Sequence, residues 1–213
     1  MSIKDYFSKD ENKRANFIFN FIAPIYGRIA KKIAKKYDDV INIIDNEISL
    51  KDKNILDIGT GTGSWARKFL DKDSKKVVGV DFAEKMILQA KKVYPEIEFM
   101  TCDAEKLEKI SDKSFDICTA SFVLHGVKKD KRAKILKQMQ RVTKESIIIH
   151  DFAGKVKFSV RILEFLEQSD MPYFKDNFEE ELKESFSNVK LIKLEKGGGI
   201  YIVKLYKFKT QQL

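Results

Sequence analysis

Three acids and three glycines carry the first chemical signal. Asp57 lies in the apolar run "NILDIG" (54–59), directly ahead of a turn in which Gly59, Gly61 and Gly63 alternate with Thr60 and Thr62. Glycines let a backbone approach a ligand closely and take positive φ. Asp81 ends "KVVGVD" (76–81), about twenty residues beyond the turn, the spacing at which a carboxylate accepts from ribose hydroxyls. Asp103 ends "IEFMTCD" (97–103), where a carboxylate can accept from an amino group such as that of adenine.

The type of ligand follows from what the turn lacks. A P-loop needs G-x-x-x-x-G-K-[ST], and no lysine stands at that position. A dinucleotide turn needs G-x-G-x-x-G/A, and here Gly63 is followed by Ser64. A carboxylate just before the turn would also repel a pyrophosphate. It suits a ligand with an ammonium group and a positive sulfonium. S-adenosylmethionine has both, together with a ribose and an adenine.

The elements that must hold these residues alternate. "NILDIG", "KVVGVD", "IEFMTCD", "FDICTASFVL" (115–124) and "SIIIHDF" (146–152) read as strands. Helical stretches follow most of them; in "AEKMILQAKKVY" Met86, Ile87, Ala90 and Val93 share one face. In "KKDKRAKILKQMQRV" Ile135, Leu136, Met139 and Val142 do the same, and "KFSVRILEFLEQ" reads as a further helix. Strands apolar throughout are covered on both faces, so the alternation predicts a parallel α/β sheet. Three acids at consecutive strand ends then line the edge where open α/β sheets bind ligands.

The tail changes period. "NFEEELKESF" (177–186) predicts a helix with Asn177 as N-cap and Glu180 at capping-box spacing. "NVKLIKLEK" and "IYIVKLYKF", joined by Gly197, Gly198 and Gly199, predict an antiparallel hairpin. Residues 1–48 read as a helical appendage, with Pro24 breaking or starting a helix. Asp116, at the start of the fourth strand, is assigned to structure, and Trp65 to packing beside the loop.

Composition narrows the class. The chain has 213 residues, 43% hydrophobic, enough for a packed core. Two cysteines, Cys102 and Cys118, without C-x-x-C spacing argue against a disulfide framework or zinc cluster, and no metal is expected. The N-terminus is too charged for a signal peptide and no apolar run suits a membrane span, so a soluble, cytoplasmic protein is expected. Net charge is +9, yet lysines interleave with acids and no arginine-rich block occurs. The charge therefore reads as a solvated surface, with a polyanion partner as the sharper alternative.

Taken in order, "LDIGTGTG" (56–63), "VVGVDFAEKMI" (77–87), "FMTCDAEKLE" (99–108), "SFDICTASFVLHGV" (114–127) and "MQRVTKESIIIHDF" (139–152) resemble the class I S-adenosylmethionine-dependent methyltransferases. The resemblance covers about residues 15 to 208, is nearest to the small methyltransferase-11/25-like members, and is distant to the quinone-biosynthesis methyltransferases. It implies a Rossmann-like three-layer α/β sandwich. Its mostly parallel seven-stranded sheet would have the order 3-2-1-4-5-7-6, an antiparallel last strand and an N-terminal helical lid. On this reading 1–213 is one domain, with 1–48 as cap and 49–213 as the cofactor-binding core. The resemblance places Asp57, Gly59, Thr60, Gly61 and Gly63 around the methionine moiety and Asp81 on the ribose. It places Phe82 and Met86 against ribose and adenine, Asp103 and Ala104 at the adenine, and Ala120 and Ser121 below the sulfonium. "NFIAPIYGRI" resembles the N-terminus of quinone-biosynthesis members, where Tyr26 takes the place of a tyrosine near the cofactor.

Methyl transfer from a sulfonium leaves a neutral thioether, S-adenosylhomocysteine. A base is needed only if the acceptor must lose a proton. His125 and His150 follow the fourth and fifth strands, which the resemblance makes neighbours, and are the candidate bases with pKa values near working pH. Asp151 is a candidate orienter of His150. Met171, Tyr173 and Phe174 are candidates for an apolar acceptor wall. The acceptor expected is a small molecule, methylated on O, N or C. A nucleic-acid methyltransferase and a cofactor-binding protein without turnover are the alternatives; the [DNS]-P-P-[YFW] signature is absent after strand four. Arg28, Lys31, Lys32, Lys35 and Lys36 make the N-terminal helix basic, read as a solvated face, with a membrane surface as the sharper alternative.

Overall fold

A computed structural model describes Tyr6, Ser8 and residues 11–156 and 169–205. Its strands form one seven-stranded sheet in the order β3-β2-β1-β4-β5-β7-β6. The chain divides into two compact units, Met1–Glu108 and Lys109–Leu213.

The first unit holds α1 (Glu11–Lys35), α2 (Asp38–Glu47), β1 (Asn54–Ile58), α3 (Ser64–Leu70), β2 (Lys76–Asp81), α4 (Glu84–Val93) and β3 (Glu98–Thr101). β1 pairs parallel with β2, and β2 with β3, so that Asp57 lies beside Gly79 and Asp81 beside Thr101. β1 is buried from Ile55 to Ile58, as expected of a strand covered on both faces. Trp65 packs edge-on between Tyr37 and Phe69 in this unit.

Pro24 neither starts nor breaks α1, contrary to expectation: the helix runs through it for 25 residues. A proline there removes one rung of the hydrogen-bond ladder. Packing offsets the loss. Ala23 is buried against Ala83 and Met86, and the Ser64 hydroxyl donates to the Ala30 carbonyl at 3.0 Å.

The second unit holds β4 (Phe115–Ser121), a 3-10 turn (Leu124–Gly126), α5 (Lys129–Val142), β5 (Thr143–Phe152), α6 (Met171–Ser185), β6 (Val189–Lys193) and β7 (Gly198–Lys204). β4 and β5 are parallel; β5–β7 and β6–β7 are antiparallel, so the expected closing hairpin is present. Asp116 pairs with Lys144 at 3.2 Å, a structural role. The helix expected over 157–168 lies outside the described residues.

Two boundaries move. β4 ends at Ser121 rather than running to Leu124, because Phe122 takes φ +53° and turns the chain away. Its N–H still reaches the His150 carbonyl at 2.8 Å. The helix expected from Asn177 instead starts at Met171, six residues earlier, where Pro172 suits a first turn with no N–H to satisfy. Asn177 is interior, its amide donating to the Tyr173 carbonyl at 2.8 Å.

Candidate functional site

In the first unit the glycine turn is folded around two buried carboxylates. Gly61 has φ +53° and open space where a Cβ would stand, and Gly63 has φ +81° with Phe99 2.7 Å from the Cβ position. Only glycine takes both without strain. Asp81, at the end of β2, accepts the Gly61 amide on one oxygen at 2.9 Å and the Ala83 amide on the other at 2.8 Å. It thereby ties the turn to the start of α4. Burial raises the Asp81 pKa, and the amides of Ala83, Gly61 and Phe82 work against that rise.

Asp57 is the anomaly. It is 1% exposed, and no hydrogen bond reaches either of its carboxyl oxygens. The Thr60 hydroxyl beside it also lacks a partner. Burial pushes Asp57 up to about 8; the nearby Thr60 hydroxyl and Ala66 amide, neither in hydrogen-bond geometry with it, lower it, and the Asp81 charge raises it further. A buried carboxyl without a donor costs free energy unless something absent from the bare protein supplies one. Two buried acids beside a bare backbone fit a ligand that brings N–H and O–H donors and positive charge. The methionine ammonium and ribose hydroxyls of S-adenosylmethionine are such donors.

The remaining first-unit candidates are more dispersed. Asp103 lies two residues past the end of β3, is exposed, and accepts the Glu105 amide at 2.9 Å; Ala104 beside it is half-buried. Phe82 is exposed and meets the Phe19 ring edge-on at 6.0 Å. Met86 is buried in the cluster with Ala23 and Ala83, and Tyr26 is exposed on α1. Gly59 has φ +66°.

In the second unit the structure assigns the acids and histidines differently from the sequence. Asp151 serves His125, not its neighbour His150. His125 Nδ1 lies 2.6 Å from Asp151 Oδ1, and Asp151 Oδ2 accepts the Leu124 amide at 3.1 Å and the His125 amide at 3.3 Å. Successive residues of a strand point to opposite faces, so His150 and Asp151 cannot share a direction. His150 instead meets the Ser121 hydroxyl at 3.0 Å, with Ala120 buried beside it in β4. Burial lowers the His150 pKa to about 4, against the pull of the Asp151 charge, so the imidazole is neutral at pH 7 rather than poised near it. In the His125 pair Asp151 already accepts the Leu124 and His125 amides, so it is the acceptor and Nδ1 the donor that faces it.

Aromatic rings surround this pair of histidines. Phe122 lies 4.7 Å from His150 and 5.1 Å from Phe152, Phe152 lies 4.7 Å from His125, and Phe174 lies 6.3 Å from His125. Of the expected wall, Met171 and Phe174 are buried and Tyr173 is exposed. The positive φ of Phe122 costs on the order of 1–3 kcal/mol, of the kind stored at functional sites.

Sequence reading missed the clamp behind His125. Arg132 is fully buried and makes two bonds to Glu181, at 2.8 and 2.9 Å, and one to Asp170 at 3.1 Å. It also donates to the Leu124 carbonyl at 3.2 Å and to the Val127 carbonyl, holding both ends of the 3-10 turn that carries His125. Its guanidinium lies over the Phe174 ring, 5.1 Å from the centroid. The signal was present: Arg132 stands three residues before Ile135 on the apolar face of α5, and Glu181 three after Phe178 on α6. A charge on each core-facing stripe asks for a partner.

Residues 55–146 match the family described as "Methyltransferase domain". The demethylmenaquinone methyltransferase of Chlorobaculum tepidum is 31% identical over 133 residues, 60% of this chain and 54% of that protein. The ubiquinone/menaquinone biosynthesis C-methyltransferase of Campylobacter jejuni is 29% identical over 154 residues, 66% of this chain and 64% of that one. An uncharacterized protein of Haemophilus influenzae is 34% identical over 86 residues, 34% of its own length. The chain thus spans about a third to two thirds of the length of these relatives. A putative S-adenosylmethionine-dependent methyltransferase from Methanococcus maripaludis superposes with TM-score 0.68 at 18% identity, covering 88% of this chain and 94% of that one. Magnesium protoporphyrin IX methyltransferase from Synechocystis, solved with bound S-adenosylmethionine, gives 0.65 at 18% identity, covering 93% and 99%. These two likenesses establish the fold. The sheet order and the glycine turn stand beside a matched methyltransferase domain over residues 55–146, and the chain is similar to methyltransferases in sequence and to an S-adenosylmethionine-dependent methyltransferase in fold.

Proposed function

We propose that this protein transfers the methyl group of S-adenosylmethionine to a small-molecule acceptor. The observation that carries the reading is Asp57, a buried carboxyl without a donor beside a glycine turn that Asp81 holds open. Asp57 and the turn would hold the amino-acid end of the cofactor, and Asp81 the ribose. When bound, the cofactor supplies a methyl group on a sulfonium that departs as a neutral thioether, so the protein needs no acid for the leaving group. The chain's work is alignment, which contributes on the order of 7–11 kcal/mol. The names of the relatives favour a quinone-type acceptor, a ring that gives up a proton on methylation. His125, fixed in one tautomer by Asp151, is the base this calls for, and the surrounding phenylalanine rings suit a flat apolar acceptor.

Calorimetric titration with S-adenosylmethionine and S-adenosylhomocysteine tests the cofactor half. Wild type is expected to bind both. Asp81→Ala, checked for an intact melting transition, is expected to bind at least about a hundredfold more weakly, as charged hydrogen bonds contribute about 1.5–3 kcal/mol each. A folded wild type that binds neither sinks the reading.

Once labelled-methyl screening finds an acceptor, His125→Ala and Asp151→Asn are each expected to lower kcat by about 10²–10⁴. The double variant should cost little more than either single one, because the two residues act as a unit. Unchanged turnover in His125→Ala removes it from the mechanism.

A further inference from the structure

α1 is built inside out. Its inner face carries small residues, Ala23, Gly27, Ala30 and Ala34, which bring it close against α3 and α4. The Gln89 side chain lies 2.3 Å from where a Cβ on Gly27 would stand. The bulky apolar residues lie on the opposite face at i, i+4 spacing: Phe17, Phe21, Ile25 and Ile29. Phe21 is 69% exposed and Ile25 57%. Phe17 and Phe21 stack with an interplanar angle of 6°. Isolated exposed apolar residues are ordinary, but a stripe of them over successive turns of one helix is not; among the described residues the Tyr6 ring meets its first member, Phe17, at 6.2 Å, while Phe21 and Ile25 stay exposed.

Charge says what covers it. The same face turns basic toward its C-terminal end, with Arg28, Lys32 and Lys35 on it and Lys36 just past the end of the helix. No acid occurs between Glu11 and Asp38. A second copy of this face would bring the same cations, on a chain already at net +9. An anionic bilayer offers what the face lacks: an apolar layer for Phe21 and Ile25 beneath phosphates for the lysines.

We propose that the outward face of α1 docks on the surface of an anionic lipid bilayer, lying in the interface without crossing it. Among the described residues no helix is long and apolar enough to span one. The proposal does not depend on methyl transfer.

The test is co-sedimentation of the full chain with phosphatidylcholine vesicles, with and without phosphatidylglycerol, at low and physiological salt. Wild type is expected to bind the anionic vesicles, more weakly as salt rises, and to leave the neutral ones in suspension. The variant Phe21→Glu with Ile25→Glu changes only exposed side chains and should lose binding. Replacing Arg28, Lys32 and Lys35 together with Gln should weaken partition roughly a hundredfold, at about fivefold per cation. Absence of wild-type binding to anionic vesicles overturns the proposal, as does binding that both variants retain. A concentration-dependent dimer in light scattering that the Glu variant abolishes, with no vesicle binding, assigns the face to a second copy and also overturns it.

Discussion

Replacing Arg132 with Met is expected to destabilise the protein by about 3–5 kcal/mol, enough to threaten a domain of ordinary stability. The guanidinium is fully buried and answers Glu181, which is itself only 6% exposed. Removing it leaves that carboxylate buried without a cation, and frees the Leu124 and Val127 carbonyls at either end of the turn below His125. Asp170 is partly exposed and can turn to water. The loss should therefore trace mainly to Glu181. Replacing both, Arg132→Met with Glu181→Leu, is expected to recover most of the stability, since an apolar pair of similar volume often matches a buried ion pair. Urea midpoints with unchanged slopes measure both effects. A single variant within about 1 kcal/mol of wild type, or a double variant no better than the single, would show that the clamp is not the source of stability.

Asp57→Asn is expected to stabilise the bare protein and to abolish cofactor binding. The sign follows from the direction of the shift. The folded-state pKa of Asp57 is about 8, well above the ordinary carboxylate value of 3.8, so between these values the folded chain holds a proton that the unfolded chain has lost. Stability contributed by this group is present below the lower value and is lost as pH rises toward the higher one. The melting-temperature advantage of Asp57→Asn over wild type should be small near pH 4, grow to about pH 8, and then level off. Binding of a ligand ammonium reverses the preference, because it favours the charged carboxylate. Wild-type affinity for S-adenosylmethionine should therefore rise with pH up to about 8 and binding should release a proton. Calorimetry in buffers of different ionisation enthalpy detects that proton. An advantage that does not vary with pH would show that Asp57 stays ionised in the folded protein.

The reversal between His150 and His125 shows where reading the chain stops. Asp151 follows His150 in sequence, and adjacency suggested a pair. In a strand, adjacency means opposite faces. The acid instead reaches across to the turn after β4, a partner 26 residues away. That turn exists because Phe122 takes a left-handed conformation that no side-chain pattern in "TASFVLHGV" announces. Arg132 was readable as a cation on an apolar stripe, but its partner lies on a different helix, and its selection is non-local.

The signals legible along the chain are local. The period of its apolar residues makes strands and helices in alternation, and the glycine turn with Asp57 before it and Asp81 beyond it marks a cationic, hydroxylated ligand. These signals span a few residues each and survive without knowledge of any distant contact. Tertiary structure alone decided which histidine receives Asp151, that Asp57 is left without a donor, and that the bulky face of α1 points outward. Each of those depends on register and packing between segments far apart in the chain, and on burial, which raises or lowers a pKa only once the neighbours are in place.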